Sequence, residues 1–424
     1  MPAIATSKFR IHNAEQFLES FSEAANTNYY FYIGGVESFA DDNNPPTPNN
    51  DTNSIEFAPW RDSIGAKRVQ AGDVVQVVDR YNWTSGVVYT QYDDQDTNLL
   101  DDNFYVMTAN YNVYKCLFNN GGAATGASGE PSGTNTTPFE TPDGYVWKYM
   151  YTITTSDALK FLTNEFIPVR DDAAVQSAAV DGAIHVSLVT AGGTGYSSAS
   201  VSIVGDGTGA TATANLNGGV VESITMDNIG SGYSYAVVTI TGDGSGATAR
   251  AVISPKGGHG SNNAEELGAK FVMMNVRLDG TEGGTISTEN DFRKVGLIRD
   301  PEEFAGGLAT GSNYRQTYRY TLNSGTISNG PFVQDETVTV GSNTARVIEY
   351  DAVNYYLYTD LPLPNAFTTS DVVTGSTSGA SGTISAVDQP GLKPYSGDVI
   401  YVENRSPISR ATDQIEDVKL IVEF

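Results

Sequence analysis

Eight residues, Gly205-Asp206-Gly207-Thr208-Gly209-Ala210-Thr211-Ala212, return 37 residues later as Gly242-Asp243-Gly244-Ser245-Gly246-Ala247-Thr248-Ala249. Gly195-Tyr196-Ser197 returns at the same offset as Gly232-Tyr233-Ser234. Asp-Gly is a hairpin signal, because a tight turn needs residues that accept φ > 0. Between these marks lie β-prone runs at 184–189, 201–204, 221–226 and 237–240. Each copy therefore reads as a small set of strands closed by glycine turns. Two copies can stack and bury each other's apolar face, as repeats generally must. A looser echo lies in a second Gly/Thr-rich region. Val338-Thr339-Val340-Gly341-Ser342-Asn343-Thr344-Ala345 and Val372-Val373-Thr374-Gly375-Ser376-Thr377-Ser378-Gly379-Ala380 both read strand, small-residue turn, strand.

The rest of the chain has a different, aromatic texture. Strands are expected at 29–33, 69–78, 103–118, 145–151, 271–278, 292–298, 398–402 and 418–424, and a loop at 121–137. One helix is expected at 13–25, capped by Asn13, and a shorter one at 156–162, capped by Ser156. The segment 41–53, rich in Asp, Asn and Pro, reads as an exposed loop. Hydrophobic residues are 39% of the chain, below the roughly 45–50% usual for globular proteins. Gly (44) and Tyr (24) are abundant and Met (6) is scarce, which suits strands and tight turns rather than a helical bundle.

Lys and Arg number 24 against 50 Asp and Glu, a net charge of −26. Such a chain repels phosphate backbones and anionic lipid, so neither nucleic acid nor a membrane is an expected partner. No apolar run approaches the ~20 residues a bilayer requires, and the first residues lack a hydrophobic signal region. Synthesis in a cytoplasm is the expectation. The lone Cys116 allows no intrachain disulfide and reads as a small buried residue.

Several segments carry side chains capable of chemistry, but no catalytic, cofactor or metal residue is expected. His12, His185 and His259 each stand alone, without an HxxxH pair or a Cys partner, so zinc is not expected. Asp93-Asp94-Gln95-Asp96 and Asp101-Asp102-Asn103 offer hard oxygen ligands. They lack the Gly and terminal Glu of a calcium loop and read as solvated acidic loops. Asp206 and Asp243 read as turn residues rather than an ion cradle. No G-x-S-x-G elbow or phosphate loop occurs. The aromatic stripes 29–32, 145–151 and 355–358 should alternate between a core face and a surface face; an interface is the functional alternative.

Taken in order, several blocks resemble the baseplate wedge protein family of T-even-type contractile-tailed phages, the family that forms a dimer within each wedge. They are Ala5-Thr6-Ser7-Lys8-Phe9-Arg10, Phe57-Ala58-Pro59, Val113-Tyr114-Lys115-Cys116-Leu117, Pro142-Asp143-Gly144-Tyr145-Val146-Trp147-Lys148-Tyr149, Thr163-Asn164-Glu165-Phe166-Ile167-Pro168-Val169 and Phe292-Arg293-Lys294-Val295-Gly296-Leu297-Ile298. The fullest match is the run from Ser396 to Ile408 followed by Asp413-Gln414 and Leu420-Ile421-Val422-Glu423-Phe424. The resemblance implies a wedge core in three parts, 1–178, 259–321 and 392–424, with inserted β domains at 179–258 and 322–391. The expected fold is mainly β with a minor α part: a β-sandwich-like core, a few short flanking helices and two inserted small β domains. The resemblance further implies a non-enzymatic structural protein of the virion tail baseplate, assembled in the host cytoplasm. Its partners would be itself, as a homodimer, and other wedge proteins. The alternative from another class is a tail adhesin or carbohydrate-binding protein that touches the host. The absence of a long fibre repeat and of a tryptophan-rich pocket argues against it.

Removing 179–256 is expected to leave a soluble dimer, checked by size-exclusion chromatography with light scattering. Aggregation of the remaining chain would contradict the insertion reading.

Overall fold

The computed structural model describes residues 4–23, 27–35 and 37–424. Strand takes up 43% and helix 13% of the chain, so the protein is mainly β with few short helices. The chain divides into two compact units, one of 1–16, 75–273 and 421–424, the other of 17–74 and 274–420.

In the first unit, Tyr105–Met107, Asn112–Asn119, Tyr145–Thr152 and Phe139–Glu140 form a four-stranded antiparallel sheet in that order. The expected single strand at 103–118 is thus two, parted by a turn in which Tyr111 adopts φ +61°. Both faces of this sheet are covered. Val113, Leu117, Met150 and Tyr151 enter one core cluster, and Tyr114, Cys116, Tyr145, Trp147 and Tyr149 enter another. The 145–151 stripe therefore does not alternate between core and solvent: the intervening Lys148 and Met150 are buried along with Tyr145, Trp147, Tyr149 and Tyr151.

The glycine-rich part of this unit departs from simple stacking. Ala199–Gly205 pairs antiparallel with Ala236–Gly242, joining Ala199 to Gly242 and Gly205 to Ala236. These two pairs become each other when the copies are exchanged. Ser202 faces Thr239, its own equivalent, and marks the local dyad. The flanking pairings obey the same rule. Ala212 faces Met226 in one ladder and Ala249 faces Val189 in the other, with bulges at equivalent places. The first strand of each copy is therefore completed by the third strand of the other. The reason lies in the turns. Gly207 lies where a Cβ would come 2.4 Å from the Tyr233 ring, and Gly244 sits equally close, 2.5 Å, to the Tyr196 ring. Each tyrosine is buried under the other copy's Gly-Asp-Gly turn, and its hydroxyl accepts the N–H of Ala210 or Ala247 at 3.3 Å.

In the second unit, a five-stranded antiparallel sheet runs Asn313–Arg315, Ser63–Val69, Tyr29–Gly34, Phe292–Arg299, Asp398–Ile408. Tyr29–Gly34 is central and buried on both faces, another stripe that does not alternate. The expected strand at 69–78 is interrupted because Gln70 and Asp73 cap a single turn at Ala71–Asp73. Six further strands, Tyr318–Leu322, Tyr356–Thr359, Asn343–Asp351, Thr337–Val340, Val372–Gly375 and Ser381–Asp388, close into a barrel in that order. Tyr320, Val338, Val347, Leu357, Val373 and Ile384 fill it. Here the tyrosine stripe does alternate, with Leu357 inside between the half-buried Tyr356 and Tyr358.

Helix positions shifted for identifiable reasons. The first helix is Ser7–Ser20, because the Thr6 hydroxyl accepts the N–H of Phe9 and caps it, while Ile11 and Ala14 face the core. Asn13 lies inside it, and residues 24 and 25 of the expected helix lie outside the described residues. The next, Thr155–Phe161, is capped by Thr154 rather than Ser156. Residues 41–53 are not wholly free: Asp42 receives a two-pronged hydrogen bond from Arg293, and Asn404 donates to the carbonyl of Pro46.

Because the dyad makes the two turns equivalent, Gly207→Ala and Gly244→Ala should each cost about 1–3 kcal/mol through overpacking against a tyrosine. Urea denaturation of the two variants checks this, and a neutral effect at either position would contradict the interlocked arrangement.

Candidate functional site

The densest cluster of chemically capable side chains lies in the first unit, on strand Asn112–Asn119 and the segment leading into helix Asn263–Leu267. Lys115 is fully buried. Its ammonium donates to Glu266 Oε2 at 2.8 Å and to His259 Nδ1 at 3.1 Å, and lies 4.1 Å from the centre of the Tyr92 ring. Glu266 Oε1 accepts the backbone N–H of Gly260 at 2.6 Å. Asn262 caps the helix, so the chain there is held to put Glu266 inward. Burial alone would raise the Glu266 carboxyl, but Lys115 beside it overrides that and holds it down to about 2. Burial, with Lys115 adding to it, presses His259 down to about 3; a neutral ring with Nδ1 as acceptor fits the Lys115 contact. His185 lies 5.4 Å from His259, ring centre to ring centre, and burial lowers it to about 4.

Two of the three histidines expected to stand alone are thus neighbours, brought together across 74 residues of chain. His12 is exposed on the first helix. His185 also lines a wide cleft of about 1140 Å³, together with Gln91, Asn119, Glu140, Glu222 and Arg250. Arg250 forms ion pairs with Asp93 and Asp94, so two carboxylates of the acidic loop are engaged in a protein contact. Asp93 and Asp96 also accept backbone N–H groups two residues on, from Gln95 and Asn98 at 2.9 Å. Among the described residues, no group of three or more His, Cys, Asp or Glu is arranged to hold a metal ion.

The two repeat aspartates form reciprocal staples. Asp243 accepts the N–H groups of Ser197 and Ser198 at 3.0 Å as well as the Ser197 hydroxyl. Asp206 does the same for Ser234 and Tyr235, at 2.9 and 3.1 Å. The Ser234 hydroxyl and these N–H groups hold the Asp206 carboxyl at about 2, and Asp243 is held well below the usual range by Ser197 and Ser198. These residues are structural turn partners of the opposite copy. Cys116 is buried, and burial pushes its thiol far up, which suppresses the thiolate a nucleophile needs.

The sequence reading gave no role to Lys115 or Glu266 and took His259 to stand alone. One signal existed: a lysine inside the otherwise apolar and aromatic run Val113 to Phe118. Its partner is 151 residues away, and nothing local names it. The ammonium is shared among a carboxylate, an imidazole and a ring face, so the arrangement pins a strand, a loop and a helix together and leaves no free amine to react. Among the described residues, no helix is long and apolar enough to cross a membrane.

The fold and this cluster describe a mainly β protein whose interior polar groups bind one another. No family model matches the chain. It is 26% identical over 206 residues to the baseplate wedge protein gp8 of Enterobacteria phage T4, a match covering 39% of this chain. The chain spans 60% of that protein's length. The similarity to a phage baseplate wedge protein is distant and partial.

Replacing Lys115 with Met strands a buried carboxylate and should cost about 3–5 kcal/mol, whereas Lys115→Met with Glu266→Leu should recover most of that. Glu266 sits below its ordinary 4.5 in the folded protein, so its contribution is present above about 4.5 and fades as pH falls toward about 2. Acid titration of unfolding in the wild type and the double variant checks the sign; a contribution growing on acidification would contradict it.

Proposed function

We propose that this chain is a structural subunit of a phage tail baseplate, a wedge component that works by being bonded into a larger particle. The observation that carries this reading is the 206-residue similarity to a baseplate wedge protein. It is a reading without catalysis: the subunit would contribute shape and contact surface. We infer a homodimer contacting other wedge proteins in a contractile tail, located in the virion baseplate after assembly in the host cytoplasm. No nucleic-acid or membrane partner belongs to the reading, and a surface with net charge −26 supports both omissions. Stable contacts of this kind ordinarily bury ~1,600 Å² or more.

The segments 179–258 and 322–391 belong to this proposal as insertions into a three-part core of 1–178, 259–321 and 392–424. The closed barrel supports an insertion here, with its start at Tyr318 and not at 322: it begins just after Arg315 in the five-stranded sheet and ends at Asp388, shortly before that sheet resumes at Asp398. A body that leaves and rejoins one sheet in this way can be added without re-pairing the strands around it.

Purified virions should contain the chain in the baseplate fraction, detected by mass spectrometry, and the isolated protein should be a dimer by native mass measurement. Its absence from the particle, or glycan cleavage by the chain alone, would overturn the reading.

A further inference from the structure

In the second unit a cavity of about 200 Å³ opens between the five-stranded sheet and the barrel, lined by Gly35, Glu37, Asp62, Lys294, Arg346 and Asp360 among others. Five of these side chains are ionisable: two bases and three carboxyl groups. Lys294, from the sheet strand Phe292–Arg299, forms an ion pair with Asp62 at the end of helix Ala58–Asp62. Arg346, from the barrel strand Asn343–Asp351, reaches across to Glu37, which is 76% exposed. Both cations are therefore engaged. The fifth group, Asp360, accepts the backbone N–H of Arg346 at 2.8 Å, and its own N–H returns to the Arg346 carbonyl at 3.2 Å. Its carboxylate thus lies beside the residue whose side chain is the bridge to Glu37.

A half-buried carboxylate left over from the ion pairs of such a cavity has two ways to avoid an uncompensated charge. It can hold a proton, or it can draw a cation from a weaker contract. The nearest bond to break is the one with Glu37, whose carboxylate is largely solvated and so contributes little net stability. We propose that Asp360 is the proton-sensitive element of a latch between the barrel and the five-stranded sheet. With Asp360 protonated, Arg346 stays on Glu37 and the barrel is tied down. With Asp360 ionised, Arg346 turns inward and the tie to Glu37 is released.

The charged groups facing Asp360 are Arg346 from its own barrel, Asp62 from the helix end, Lys294 from the sheet strand and Glu37 from the segment 37–39. Burial raises the Asp360 carboxyl to about 7; the Arg346 N–H and guanidinium oppose this, and Asp62 adds to it. The sign follows. A carboxyl raised in the folded state binds more protons there than in the unfolded chain between about 4 and about 7, so the closed latch is favoured by acid and loosens as pH rises through about 7. The latch concerns contacts inside this chain, so the baseplate reading stands or falls separately.

Hydrogen exchange of the full-length protein, corrected for intrinsic rates and followed from pH 5.5 to 8.5, tests it. Amides of 37–39 and 344–350 in the wild type should open more by up to about tenfold per pH unit across the step. Asp360→Asn should keep the protected, low-pH level throughout. Glu37→Gln, an exposed change, should give the loosened level at every pH with no step. A wild-type profile that is flat or runs the other way, or an Asp360→Asn profile that matches wild type, overturns the proposal. Should Asp360→Asn fail to fold, Glu37→Gln decides alone, since a retained step there overturns it as well.

Discussion

Strands contributed from distant parts of the chain, and covered on both faces, are the constraint from which the rest of this protein follows. Tyr29–Gly34 has every residue buried, between a neighbour ending at Val69 and another beginning at Phe292. A chain with 39% hydrophobic residues fills such two-sided positions with tyrosine, so phenol groups enter the interior and need partners. Several find backbone carbonyls: Tyr30 donates to Gly311, Tyr105 to Asp79 and Tyr151 to Pro168, at 2.7–3.0 Å. Each such bond ties a strand to a segment outside its own sheet. Pairing and polar satisfaction thus reinforce one another.

Charges are used inside in the same way. Lys115 with Glu266, and Arg410 with Glu416, are ion pairs out of reach of solvent. A buried pair adds little over an apolar pair of equal volume, but breaking it is costly. Such groups therefore specify one arrangement more than they raise stability. Under the proposed reading, a subunit that presents fixed surfaces to neighbours benefits from that rigidity.

Much of the fold was legible in the sequence, for reasons that differ by element. Strand runs such as 29–33, 145–151 and 292–298 were readable because β-branched and aromatic residues are bounded by glycine or turn residues. The 37-residue repeat was readable as equivalence but not as pairing. An offset says that Tyr196 and Tyr233 play the same part, and only three dimensions show that each lies under the other copy's turn. Caps were misplaced where two candidates compete: Thr6 won over Asn13, and Thr154 over Ser156, because the backbone enters the helix seven residues earlier in the first case and two in the second than the apolar spacing suggests. Tyrosine stripes misled because alternation presumes one wet face, and two of these three strands have none. The Lys115 cluster showed only as a lysine in an apolar run and the Asp360 cavity not at all, since both depend on contacts between segments far apart in sequence that share no local pattern.

The central claim is that these tightly specified sheets exist to be held within a larger assembly. A density map of the intact tail tests it most directly. The account predicts that the five-stranded sheet and the six-stranded barrel can be placed in the baseplate, repeated around the tail axis and in contact with other subunits. Placement of the chain only at a receptor-contacting fibre tip, or nowhere in the particle, would contradict it.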